Sequence, residues 1–199
     1  MLLKLYKTCI YVLVYMGFYR YTRGQLLPIG KYWMDFKEFR PCNSSNNYLI
    51  NFNIYTKKLT EVTDQLLGNI TLNIPFDDSL EAIIKMGQYD STGLWKDNVH
   101  VMITKNVCSG LKNILGPKVW LKLIESFHFT NNNCPWQKGH YESSGFDTAL
   151  FGESNAPKRF FYGIYTTRYQ IMNKQNNIVS CTLIRLGIMP YPKNKKVIF

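Results

Sequence analysis

Over residues 48–55 apolar and polar side chains alternate, with Tyr48, Ile50, Phe52 and Ile54 on one side, which is the period of a half-buried β-strand. The pattern repeats over residues 66–74, where Leu66, Gly68, Ile70, Leu72 and Ile74 face one way and Asn69, Thr71 and Asn73 the other. Residues 80–88 predict a third strand. Val99, Val101 and Ile103 predict one face of a fourth, which turns His100 outward. The period then lengthens: Val107, Leu111, Ile114 and Leu115 recur at helical spacing, Gly116-Pro117 marks a stop and a restart, and Val119, Trp120, Leu123, Ile124 and Phe127 define a second short helix. Strands return at Tyr141, over residues 161–171 and over residues 178–189. The polar run Asn173-Lys174-Gln175-Asn176-Asn177 supplies the turn between the last two.

Several strands with one helical interruption at about residues 106–127, and no alternation of helix with strand, predict a mostly β, antiparallel sandwich or open cup. Periodicity does not separate a filled core from one that leaves an apolar cavity between splayed sheets; taken alone it favours the filled core. No linker, repeat or low-complexity tract divides the chain.

The N-terminus changes the picture. Lys4 and Lys7 precede an uncharged run over residues 9–19, followed by Thr22 and Gly24, the outline of a secretory signal peptide cleaved after Gly24. The run is shorter than the ~20 residues that cross a bilayer. Residues 1–24 are therefore read as the leader, and residues 25–199 as a single secreted, extracellular domain. Loss of Lys4, Lys7, Arg20 and Arg23, with no acid, lowers the formal charge from +11 to +7. The bases are scattered apart from Lys57-Lys58 and the tail Lys193, Lys195 and Lys196, and export also argues against a nucleic-acid partner. A solvated surface, with weak affinity for an anionic membrane surface, is the simpler role.

Cys9 leaves with the leader, so Cys42, Cys108, Cys134 and Cys181 remain. Four cysteines in an oxidising compartment predict two disulfides, and spacing leaves all three connectivities open. No Cys-x-x-Cys pair occurs and His100, His128 and His140 fall at no ligand spacing, so no metal site is expected. The sequons Asn43-Ser44-Ser45 and Asn69-Ile70-Thr71 make Asn43 and Asn69 glycosylation candidates, Asn69 the better because it lies on the polar face of its strand. Cys108-Ser109-Gly110 is no nucleophile elbow. No enzyme and no cofactor is expected.

Cys134, Pro135, Gly139 and Tyr141, with Cys108 placed 26 positions before Cys134, then Pro157, Gly163-Ile164-Tyr165 and Cys181, stand in an order that resembles the ganglioside-activator branch of the ML lipid-recognition superfamily. Within it the chain looks like the insect chemosensory CheB-like proteins. Gly68-Asn69-Ile70-Thr71-Leu72 resembles the family's glycosylated strand and Gly93-Leu94-Trp95 the loop before its helical region. The resemblance spans residues 42–190. The chain lacks the ganglioside activator's additional cysteine pairs between Cys108 and Cys134, which favours the insect branch.

The resemblance implies the pairs Cys108 with Cys134 and Cys42 with Cys181. It also implies a β-cup with an apolar cavity for acyl or hydrocarbon chains. Leu94, Trp95, Leu150, Phe151, Phe160 and Phe161 are the candidate rim and mouth residues, Lys158 and Arg159 flanking the last two. The function expected is a secreted, non-enzymatic lipid or hydrocarbon binder in pheromone perception, acting as a monomer. The alternative is an extracellular interaction module for a membrane receptor or ion channel, with no lipid ligand.

Overall fold

The structure, a computed structural model, describes residues 28–192 except Asn46 and Ser91. The leader and the lysine tail lie outside the described residues.

Among these, ten strands form three antiparallel sheets, accompanied by one broken helix. The largest has the order β2-β10-β9-β5-β6, from β2 (Tyr32–Pro41), β10 (Ile178–Pro190), β9 (Gly163–Met172), β5 (Glu81–Tyr89) and β6 (Trp95–Lys105). The second joins β3 (Ile50–Lys58), β4 (Asp64–Leu72) and β7 (Gly139–Asp147) in that order. A small ribbon pairs β1 (Ile29–Gly30) with β8 (Phe160–Phe161). The fold is mostly antiparallel β with a helical insertion, as the periodicity predicts. β2 is the strand that the sequence reading passed over. Its alternating Tyr32, Met34 and Phe36 turn inward until a register shift opposite Arg185/Leu186, beyond which Phe39 takes the inward position.

The helical insertion α1 (Val107–Ser126) breaks at Gly116, whose φ of 73° and ψ of 167° leave the helical region. A residue with a Cβ resists that conformation, and Pro117 opens the second half without losing a hydrogen bond. The freed carbonyls find a partner in Asn155, whose backbone N–H donates to Ile114 O at 2.8 Å and whose side-chain amide donates to Asn113 O at 2.8 Å. No helix among the described residues is long and apolar enough to cross a membrane.

At the helical end the core is filled. Trp136 is stacked between Phe129, with ring centroids 3.9 Å apart, and Phe76 and Trp120 at 5.0 and 5.1 Å. Cys108–Cys134 ties α1 to the approach of β7, and Cys42–Cys181 ties the end of β2 to β10.

The fourth predicted strand is reversed in sense. β6 pairs with β5 so that His100 stands opposite Met86 and Met102 opposite Ile84. Met86 is buried, so its partner His100 faces inward, while Val101 and Ile103 are exposed. Alternation fixes which residues share a face; register against the neighbouring strand fixes which face is wet.

Candidate functional site

Where the sheets part, a cleft of about 650 Å³ opens between the start of β2, the β3–β4 turn, the 3-10 segment Thr148–Glu153 and the chain beyond β10. Its walls carry Tyr32, Met34, Val62, Leu150, Phe151 and Tyr191. Phe151 contacts Phe36 and Phe146, with ring centroids 6.0 and 5.2 Å apart, so the cleft floor continues into the main core. The volume lies inside the roughly 300–1,000 Å³ range of small-molecule sites.

Local chemistry holds this mouth open in a fixed shape. The Asp147 carboxylate accepts from Ala149 N–H at 2.8 Å, which starts the 3-10 segment. The Thr148 hydroxyl accepts from Asp64 N–H at 2.8 Å, joining that segment to the β3–β4 hairpin. Tyr32 Oη donates to Pro157 O at 2.9 Å, and Trp33 Nε1 to Pro190 O at 3.2 Å. Lys158 donates to the carbonyls of Gly152 and Ser154, and Glu153 pairs with Lys118. Burial, then the neighbouring Tyr191, raises the Tyr32 hydroxyl above the ordinary phenol range; burial raises Tyr191 as well. Both are neutral near pH 7. Most polar groups on the walls are thus committed to backbone or ion-pair partners. The arrangement offers an apolar body a preformed space.

The candidate mouth residues divide into three places. Leu150 and Phe151 line the cleft. Phe160 and Phe161 pack instead around His100, at 4.9 and 5.7 Å between ring centroids, and Phe160 also meets Tyr32 at 6.1 Å. They form the ribbon with β1 and stand behind the cleft wall rather than in it. Leu94 and Trp95 sit at the β5–β6 turn. Trp95 lies over Gly87, where a Cβ would come within 2.4 Å of its ring, and edge-on to Tyr89 in a shallow depression that Ile164 and Leu183 share. That depression is on the outer face of the large sheet. Tyr32, Met34, Val62 and Tyr191 line the cleft without having been singled out. The alternation of Tyr32, Met34 and Phe36 was the available signal for the first two.

Of the sequon asparagines, Asn69 lies on the outer face of β4, where its side-chain oxygen accepts from Asn53 at 3.0 Å. Asn43 is exposed after Cys42, and its side chain accepts from Ser45 N–H at 3.0 Å.

No family model matches the chain, and no curated protein matches it. Among solved structures it is similar to chicken MD-1 in the crystal structure of its complex with lipid IVa, at 12% identity and a TM-score of 0.36, over 80% of this chain and 100% of that chain.

Proposed function

We propose that this protein is a secreted, non-enzymatic binder of lipids or hydrocarbons, of the ML lipid-recognition type and its insect CheB-like branch, which takes the chain of its ligand into the cleft between the sheets. The observation that carries the reading is the apolar cleft of about 650 Å³ bounded by Tyr32, Met34, Val62, Leu150 and Phe151. Burying ten methylenes there contributes about 8 kcal/mol, enough for roughly micromolar affinity before ordering costs. Lys31 at the mouth, whose carbonyl accepts from Tyr162 Oη at 2.9 Å, is the lysine on these walls whose ammonium has no ion-pair or hydrogen-bond partner among the described residues, and that ammonium offers a contact to a polar headgroup. Pheromone-like ligands complete the reading and rest on the resemblance to the CheB-like proteins alone, while cleavage of the leader after Gly24 and a glycan on Asn69 rest on the sequence motifs.

The test is extraction and mass spectrometry of the purified protein, with displacement of parinaric acid as the solution probe. Stoichiometric apolar compounds and saturable probe uptake are expected. Ala149→Trp, which plugs the cleft from an exposed position, weakens uptake by about tenfold or more while leaving the urea midpoint in place. Empty protein that takes up no probe sinks the reading and leaves the receptor- or channel-directed interaction module.

A further inference from the structure

The outer face of the large sheet collects cations that the fold leaves unpaired. Lys85 on β5 stands directly opposite Arg168 on β9, and Leu183 on β10 separates Arg168 from Arg40 on β2 in the same row. Arg185 lies one row away, between Thr166 and Glu38. Adjacent strands are roughly 4.8 Å apart, and like charges directly opposite each other destabilise a sheet. Glu38 pairs with Arg40 at 3.4 Å. The cationic groups of Lys85, Arg168 and Arg185 have no ion-pair or hydrogen-bond partner among the described residues. The shallow depression beside them has a volume of about 330 Å³, with Arg40, Arg185, Glu38 and Thr166 toward β2 and Trp95 and Tyr89 toward β6. Trp95 is 40% exposed and Tyr89 66%, yet the indole is fixed. Its ring occupies the space that a Cβ at Gly87 would take, and its Nε1–H donates to the Asp97 carboxylate at 2.7 Å.

We propose that this depression binds a sugar that carries a sulfate or carboxylate, as one unit of an acidic glycan chain. The ligand class follows from the chemistry of the walls. The face of an aromatic ring is negative and receives the polarised C–H face of a pyranose. The guanidinium of Arg185 presents a planar fork to an oxyanion, and the Glu38 carboxylate and Thr166 hydroxyl accept hydrogen bonds from ring hydroxyls. An indole held in place before binding lowers the ordering cost. Arg168 and Lys85, in the next row, extend the positive field to a following acidic unit. An anionic bilayer fits this surface less well, because the depression is concave and Glu38 on its wall would meet headgroups of its own sign. The depression shares no wall residue with the cleft, and the proposal is independent of whether the cleft binds lipid.

Isothermal titration calorimetry with a heparin-derived tetrasaccharide, on protein purified from cells expressing the full chain, tests it, with chitotetraose as the neutral control. Saturable one-to-one binding of the sulfated tetrasaccharide is expected, and none of chitotetraose. Arg185→Gln and Trp95→Ala each raise the Kd by about tenfold or more. Lys57→Gln removes an exposed charge from the other sheet and leaves the Kd within about twofold. Arg185 is exposed in the middle of its strand, so Arg185→Gln decides the matter even where Trp95→Ala disturbs the β5–β6 turn. No binding at tetrasaccharide concentrations up to on the order of 1 mM, equal weakening by Lys57→Gln and Arg185→Gln, or chitotetraose bound as tightly as the sulfated probe overturns the proposal. So does an affinity unchanged by Arg185→Gln or by a Trp95→Ala variant whose far-UV circular dichroism is intact. Protein that ignores the tetrasaccharide but sediments with phosphatidylserine vesicles through Arg185 overturns it in favour of a membrane-facing sheet. Because the probe carries no acyl chain, its failure leaves the lipid-binding reading of the cleft standing.

Discussion

The Asp64 side chain is almost wholly buried, yet its only ion-pair partner among the described residues is Lys58, at 3.0 Å and half exposed. Asp35 reinforces the arrangement from β2 at 3.4 Å from the same ammonium. Burial lowers the Lys58 pKa, but hydrogen bonding to Asp64 and the charges of Asp64 and Asp35 outweigh it and the net direction is upward. One oxygen of Asp64 has no hydrogen-bond partner among the described residues. Lys58→Met therefore strands a buried carboxylate and should destabilise the fold by about 1–3 kcal/mol, read from urea denaturation. Trp136 presents the opposite case. Its buried indole N–H has no partner among the described residues while its ring is stacked on several sides. Trp136→Phe removes the unsatisfied donor together with part of the ring and should cost under about 1.5 kcal/mol, against about 3–5 kcal/mol for Trp136→Ala.

At the level of elements, the helix break shows how much of a local structure was legible. Gly116-Pro117 marks the stop and restart from sequence alone, since few other pairs combine a tolerated positive φ with a missing N–H. That Asn155 would satisfy the freed carbonyls was not legible, because the two segments meet only in space. The two disulfides close loops of 26 and 139 residues, for which chain entropy gives about 3.5 and 5 kcal/mol respectively. Replacing both Cys42 and Cys181 by serine should thus lower the urea midpoint more than the same change at Cys108 and Cys134. β6 gives the contrary lesson. Its apolar alternation was visible, but the apolar residues Val101 and Ile103 face water and His100 faces the core, because pairing with β5 outranks the strand's own pattern.

For the molecule as a whole, that inversion makes stability depend on pH. His100 is surrounded by Phe160, Phe161 and Tyr165, and burial holds its pKa below the ordinary histidine value. The unfolded chain then binds the proton more readily than the folded one. Stability is complete above about pH 6.5 and is lost as pH falls through the lowered value. Asp78 does not compete in that window: hydrogen bonds from Ser109 hold its carboxyl below the ordinary range, so its contribution persists until much lower pH. The urea midpoint should fall between about pH 7.5 and 5, and His100→Phe should flatten that fall.

Sequence by itself determined the elements that local covalent and steric preferences dictate: the strand and helix periods, the break at Gly116-Pro117, the polar turn at residues 173–177, and the exposed face that carries Asn69. The tertiary structure alone decided what depends on neighbours distant in the chain. It set which side of β6 is wet, which cysteines meet, and which candidate mouth residues share a space. Leu150 and Phe151 reach the cleft while Leu94 and Trp95 lie on the outer face of the large sheet, because strand order and register, rather than the residues' own apolar character, place a side chain inside the cup or outside it.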